Sequence, residues 1–304
     1  MNSLPPYALT RHGVMQRRIG NPHSGPPRDP SHMAGAMEFA DLLPKDAVVV
    51  GRTAALLHGL DVLPPGRAAA TWPVEISVPR NWAGLAAPTV RIYRWAIASG
   101  DVTTVADMPV TTLERTAADC ARCLPRLEAV AALDQFLRMG VEARRLLLRA
   151  DTRTRYGRRI AAVLDAADSG AESPGEGWTR CLIVDAGLPR PCSQVPVGLA
   201  GGRVFLDLGY EEYRQGVEYY GAEFHTRVHR SHDAARVAAL TGLGWDVFVV
   251  RAADVVVKPD ALLRGLLSRL RCRGWAPAPS HEKKVRKRIG YICMMLRHQR
   301  RARV

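Results

Sequence analysis

The sequence predicts an α/β chain: an α+β unit over residues 42–168, then a mixed sheet flanked by helices over 169–273. Three observations carry that prediction. Short apolar runs bounded by turn residues dominate up to Thr112. Apolar residues at helical spacing follow from Leu113 to about Ala167. Beyond a Gly/Ser/Pro-rich joint at 168–175, helical and extended patterns alternate around one β-hairpin.

In the first unit, Ala47–Val50 reads as a short strand. Gly51–Leu60 reads as a helix with Thr53 as N-cap and Gly59 as its stop. Val74–Val78 and Val90–Trp95 read as strands, and 102–112 as a hairpin turning near Asp107-Met108. Leu113, Ala117, Cys120 and Leu124 recur once per turn, which predicts a helix over 113–124. A second helix over 126–139 ends at Gly140, and two more follow over 141–150 and 157–167. In the second unit, Ser173 before Pro174 is an N-cap followed by proline at the first helical position, and Glu176 falls at the capping-box site. Gly175 and Gly177 flank it and predict a weak or irregular first turn. The order then runs helix to Ala186, strand 193–197, hairpin, helix 231–243, strand 245–250 and helix 259–271.

With 304 residues, of which 47% are apolar, the chain is long enough for two domains. It contains no run of eighteen uncharged apolar residues, so no membrane-spanning helix is expected, and a cytoplasmic location is. Residues 1–41 are rich in Pro, Gly and Arg and lack an apolar signal core. They read as a disordered extension or as sequence upstream of a later start at Met33 or Met37. The six cysteines are scattered, which argues against a disulfide framework. Cys120 and Cys123 share a helix and read as buried structural thiols, with half a zinc site as the rival reading. The net charge is +14, and more than half of it comes from 281–304. There nine Lys/Arg stand against the single acid Glu282. This basic C-terminal tail, 274–304, suits a polyanion, above all nucleic acid; a solvated tail that aids solubility is the other reading.

The hairpin carries the chemistry. If Glu212-Tyr213 is its loop, Leu208 faces Val217 and Asp207 faces Glu218. Asp207, Gly209, Glu218 and Tyr220 then share one face, while Leu206, Leu208, Val217 and Tyr219 share the core face. Opposed carboxylates about 5 Å apart repel unless compensated. Either a divalent cation or an arginine supplies the compensation, and arginine is plentiful here.

Ser173-Pro174-Gly175-Glu176, Ala186-Gly187-Leu188-Pro189-Arg190-Pro191, Gln194, Asp207-Leu208, Val217-Glu218-Tyr219, Gly221, His225, Asp233, Arg236 and Gly244-Trp245-Asp246-Val247 occur in that order. Together they resemble the restriction-endonuclease-like domain of an uncharacterised actinobacterial family related to very-short-patch-repair endonucleases, over about 170–273. The resemblance implies a PD-(D/E)xK core in which Asp207 and Glu218 hold Mg²⁺ and Glu176 supplies the first-helix acid. His225 then acts as base or positions the attacking water. Tyr220 departs from the pattern, standing where the superfamily commonly has lysine and this family a second acid. Gly177-Trp178 departs as well. Residues 42–150 resemble, more weakly, the second domain of abortive-infection type IV antitoxin-like proteins. The matching segments are Gly51-Arg52-Thr53-Ala54-Ala55-Leu56-Leu57-His58-Gly59, Ile76-Ser77-Val78-Pro79 and Thr111-Thr112-Leu113-Glu114-Arg115-Thr116-Ala117-Ala118-Asp119. Arg52, His58, Arg115 and Asp119 form a polar site there, or Arg115 and Asp119 form a simple i,i+4 ion pair.

The expected function is therefore that of a Mg²⁺-dependent DNA endonuclease-like protein. Asp207, Glu218, Glu176 and His225 would be its site, and Arg227, Arg230, Arg236, Lys283, Lys284, Arg286, Lys287 and Arg288 its DNA contacts. The alternatives are a non-catalytic DNA-binding regulator of the antitoxin class, favoured by Tyr220, and an RNA-processing enzyme.

Overall fold

A computed structural model describes residues 44–64, 72–84, 88–199, 202–220 and 236–301. Two mixed sheets are each flanked by helices. The first has strand order β3-β2-β1-β5-β4, with β1 (Val48–Val49), β2 (Val74–Ser77), β3 (Val90–Tyr93), β4 (Val102–Val105) and β5 (Met108–Thr111). β1 runs antiparallel to β2 and parallel to β5. Its two valines are buried, as a central strand requires. Helix α1 (Gly51–Leu57) follows directly, with Val50 as its N-cap. Thr53, expected as that cap, lies inside the helix, where its hydroxyl accepts from the Glu75 backbone N–H at 2.9 Å. The β4–β5 turn falls on Ala106 and Asp107, one residue earlier than expected. Both have positive φ, +49° and +62°, as a tight two-residue hairpin turn demands.

Helices α2 (Leu113–Cys123), α3 (Arg126–Arg138), α4 (Ala143–Arg149) and α5 (Arg155–Ala166) pack around Leu133, Phe136, Leu146 and Ile160. Thr112 and Thr154 cap α2 and α5 through their side chains. Helix α6 (Pro174–Ala186) begins the second unit, capped by Ser173 as predicted and closed by Gly187 at φ +78°. Its first turn is regular. Gly175 and Gly177 serve close approach instead of irregularity: a Cβ on Gly175 would sit 2.0 Å from the Tyr219 ring, and one on Gly177 would sit 2.4 Å from an Asp134 oxygen. The two units share their interior across α3 and α6. Cys181 of α6 belongs to the first unit's core, and Ala131 of α3 to the second's.

The second sheet has the order β6-β7-β8-β9, with β6 (Cys192–Leu199), β7 (Gly202–Tyr210), β8 (Gln215–Tyr220) and β9 (Asp246–Arg251). The first three strands are antiparallel and β9 lies parallel to β8. Helices α6, α7 (Ala252–Val256), α8 (Pro259–Cys272) and α9 (Pro279–Arg301) cover one face through Leu182, Leu208, Val217, Leu263, Leu266 and Ile289. Val195, Val197, Leu206 and Trp245 pack with Leu240, from helical residues 236–242, on the other.

The basic C-terminal segment is no tail. It is the 23-residue helix α9, whose Val285, Ile289 and Cys293 are buried in the second core. No helix among the described residues is long and apolar enough to cross a membrane.

Candidate functional site

The hairpin has the expected register, with Leu208 paired to Val217, Gly209 to Gly216 and Tyr210 to Gln215; the pairing of the two strands ends there, one residue short of Asp207 and Glu218. The faces differ from expectation. Leu208 and Val217 lie in the helix-covered core, whereas Leu206 packs over Gly216 and joins Val195, Leu240 and Trp245 on the opposite side. Strand β7 therefore changes face between Leu206 and Leu208. The flanking pairs Val195–Leu206 and Ser193–Leu208 bracket Gln194, whose φ of +52° breaks β6 at the same level. Asp207 sits at this break, and its Oδ2 accepts from the Tyr219 backbone N–H at 2.8 Å.

Glu218 is buried, and Arg236 grips it with a two-pronged fork: Nη1 to Oε2 at 2.7 Å and Nη2 to Oε1 at 3.1 Å. The same guanidinium donates to the Phe205 carbonyl. Arg236 was expected to contact phosphate; it is committed to the protein's own carboxylate. Glu176 lies at the capping-box position and its backbone N–H donates to the Ser173 hydroxyl, but its carboxylate reaches the Glu172 N–H and not that of Ser173. Its Oε1 accepts from the Ser173 hydroxyl at 2.8 Å, and its Oε2 from the Glu172 N–H at 2.9 Å and the Gln194 amide at 3.3 Å. Burial raises the pKa of all three acids, and the Asp207 charge adds to the rise at Glu176 and Glu218. Arg236 opposes it at Asp207 and Glu218, but burial prevails.

These residues do not fit Mg²⁺ as they stand. A hard cation needs several free carboxylate oxygens around one point. Here both Glu218 oxygens take arginine, and Glu176 takes three protein donors. Among the described residues, no group of three or more His, Cys, Asp or Glu side chains is arranged to hold a metal ion. His225, Arg227 and Arg230 lie outside the described residues, as does Asp233.

The basic candidates of α9 separate by environment. Lys283, Lys284 and Lys287 are exposed, away from the buried Val285–Ile289–Cys293 stripe. Arg286 pairs with Glu282 at 2.6 Å. Arg288 lies over the end of α6, with Nη1 2.7 Å from where a Gly187 Cβ would be. His281 Nε2 meets the Gly187 carbonyl at 3.0 Å. Tyr291, Met294 and His298 continue the exposed face.

In the first unit the four polar residues do not meet in one site. Arg52 pairs with Glu128 and donates to the Val62 carbonyl, and His58 bonds to the Thr111 carbonyl at 2.8 Å. Arg115 makes the i,i+4 pair with Asp119 at 2.9 Å and reaches Asp101 at 3.1 Å. All six cysteines are free; Cys120 is buried, but Cys123, expected to be buried, is exposed. Sequence reasoning missed a cavity of about 470 Å³ lined in part by Arg52, Trp72, Glu75, Arg91, Tyr93 and Trp95. Its signal was present. Arg91, Tyr93 and Trp95 alternate along one extended run and so project from one side of it.

Residues 47–166 match the family described as the AbiEi antitoxin C-terminal domain. Two curated relatives come from Mycobacterium tuberculosis, "Uncharacterized protein MT2308" of strain CDC 1551 and "Uncharacterized protein Rv2248" of strain H37Rv. Each is 35% identical over 152 residues, covering 48% of this chain and 56% of the relative. The chain thus spans about half the length of the curated relatives it matches. No solved structure matches it. The family match ends before the second sheet and supports the antitoxin-like resemblance of the first unit.

Proposed function

We propose that this protein is a non-catalytic, DNA-binding regulator of the antitoxin type. Its second unit would be a PD-(D/E)xK-like frame whose acids serve structure. One observation carries the reading: the Arg236 fork occupies both oxygens of Glu218, the acid that the nuclease resemblance would join with Asp207 to hold a catalytic cation. Arginine thus supplies the charge compensation that a nuclease would leave to metal. The antitoxin-domain match of residues 47–166 supports the same reading. Lys283, Lys284 and Lys287 on the outer face of α9 would supply phosphate contacts, which position a protein on DNA without reading sequence.

The test combines duplex-DNA binding across a salt series with plasmid nicking in Mg²⁺. Salt-dependent binding without nicking is the expected result. Mg²⁺-dependent nicking that disappears in Asp207→Ala would overturn the reading in favour of an endonuclease.

A further inference from the structure

We propose that the cavity of the first unit binds a guanine nucleotide. It measures about 470 Å³, within the range of small-molecule sites. Trp72, Tyr93 and Trp95 contribute planar walls, and the Tyr93 and Trp95 rings lie side by side with centroids 4.4 Å apart and planes tilted by 33°. Such walls suit a flat heteroaromatic ring. A cationic ring is disfavoured, because the guanidiniums of Arg52 and Arg91 lie 4.9 and 5.8 Å from the Trp72 centroid and put positive charge beside that wall.

The polar lining selects among the flat ligands. Glu75 is 4% exposed. Its Oε2 accepts from the Arg52 backbone N–H at 2.6 Å, but among the described residues its Oε1 has only long contacts, 3.4 Å to Arg91 and 3.5 Å to the Tyr93 hydroxyl. An ionised carboxylate only accepts and has room for further donors. The ligand edge facing it must therefore donate. Guanine presents two adjacent donors, N1–H and the N2 amino group. Adenine and cytosine set an acceptor beside their single amino group, and uracil flanks its one N–H with carbonyls. Gly51 gives this carboxylate its place, since a Cβ there would fall 2.2 Å from Oε2.

Arg91 completes the site. Its side chain is half exposed, and its one ion pair among the described residues is the 3.4 Å contact to Glu75, so it can meet a phosphate at the mouth. Arg52 is held by Glu128, and Asp119 by Arg115 and Arg122. Glu75 and Arg91 thus remain for the ligand. The same chemistry comes from free guanosine monophosphate or from a guanine in a single strand.

Calorimetry on the full chain tests this with guanosine monophosphate, cytidine monophosphate, guanosine, and the single-stranded pentamers TTGTT and TTCTT. Guanosine monophosphate should bind at least about tenfold more tightly than cytidine monophosphate, in keeping with one carboxylate read against a donor edge. Glu75→Gln should erase that preference. Arg91→Ala, at an exposed position, should weaken the nucleotide while leaving guanosine unchanged. TTGTT binding above TTCTT, with the same dependence on Glu75, would make the source a strand; guanosine monophosphate alone would make it the free nucleotide. Absence of guanosine monophosphate binding at millimolar concentration, or equal binding of the two nucleotides, overturns the proposal. If Glu75→Gln does not fold, the wild-type ranking and the Arg91→Ala contrast still decide it.

Discussion

Asp134 of α3 and Arg180 of α6 form an ion pair at 2.6 Å, at 1% and 0% side-chain exposure, and so tie the two units through their shared interior. Asp134 Oδ1 also accepts from the Asp168 N–H at the joint between the units, at 2.7 Å. Its Oδ2 and the Arg180 Nη1 have no partner among the described residues. Burial pushes the Asp134 carboxyl up to about 6 even beside the guanidinium.

Removing one partner strands a buried charge. Asp134→Ala and Arg180→Ala should each destabilise the protein by about 3–5 kcal/mol in urea unfolding, whereas Asp134→Leu with Arg180→Met together should cost less than either. A double variant as unstable as the sum of the singles would show that the pair does not act as a unit.

Glu176, Asp207 and Glu218 bind their protons more tightly folded than unfolded. Their contribution is thus complete below the ordinary carboxylate range and is lost as pH rises through the folded values, up to about 8 for Glu176. Melting temperature should fall between pH 5 and pH 8, and Glu176→Gln should flatten that decline. A wild-type melting temperature that rises over this range would contradict the burial argument.

Arg236→Ala should leave Glu218 buried without its counter-charge. The loss should be larger at pH 8, where the carboxylate must ionise, than at pH 5, where it stays protonated. The difference should be about 1–3 kcal/mol, the cost of an unsatisfied buried polar group or more. Chemical denaturation at the two pH values measures it.

Lys284→Glu with Lys287→Glu should weaken duplex binding and reduce the log–log salt slope by about 0.9 per lost phosphate contact. Both side chains are exposed, so melting should barely change. Cutting the chain after Ser280 would be a poorer experiment. It removes Val285, Ile289 and Cys293 from the core along with the charge.

Gly175→Ala should destabilise by about 1–3 kcal/mol, because the added methyl meets the Tyr219 ring. Combining it with Tyr219→Ala should recover part of the loss, as read by the denaturation midpoint.

Local rules made much of this legible. Ser173-Pro174 located the start of α6, and alternation around a short turn located the β7–β8 register. What escaped depends on partners distant in sequence. Leu206 leaves the face of Leu208 because β6 breaks at Gln194, and nothing within β7 announces that. The Arg236 grip on Glu218 joins residues eighteen apart, and only folding brings them together. In α9 the pattern was in view, with Val285, Ile289, Ile292 and Leu296 at helical spacing. The density of lysine and arginine drew the reading toward a basic tail that meets a polyanion.

The inner stripe of helix α9 closes the core formed by α6 and α8, which precede it in the chain. Until α9 is made, that core stays open and presents apolar surface to chaperones and proteases. A chain that stops before α9 would therefore be cleared by quality control, instead of folding and merely lacking its outer charges. Folding and the basic face would be lost in one step, because different sides of a single helix carry the core stripe and the exposed lysines.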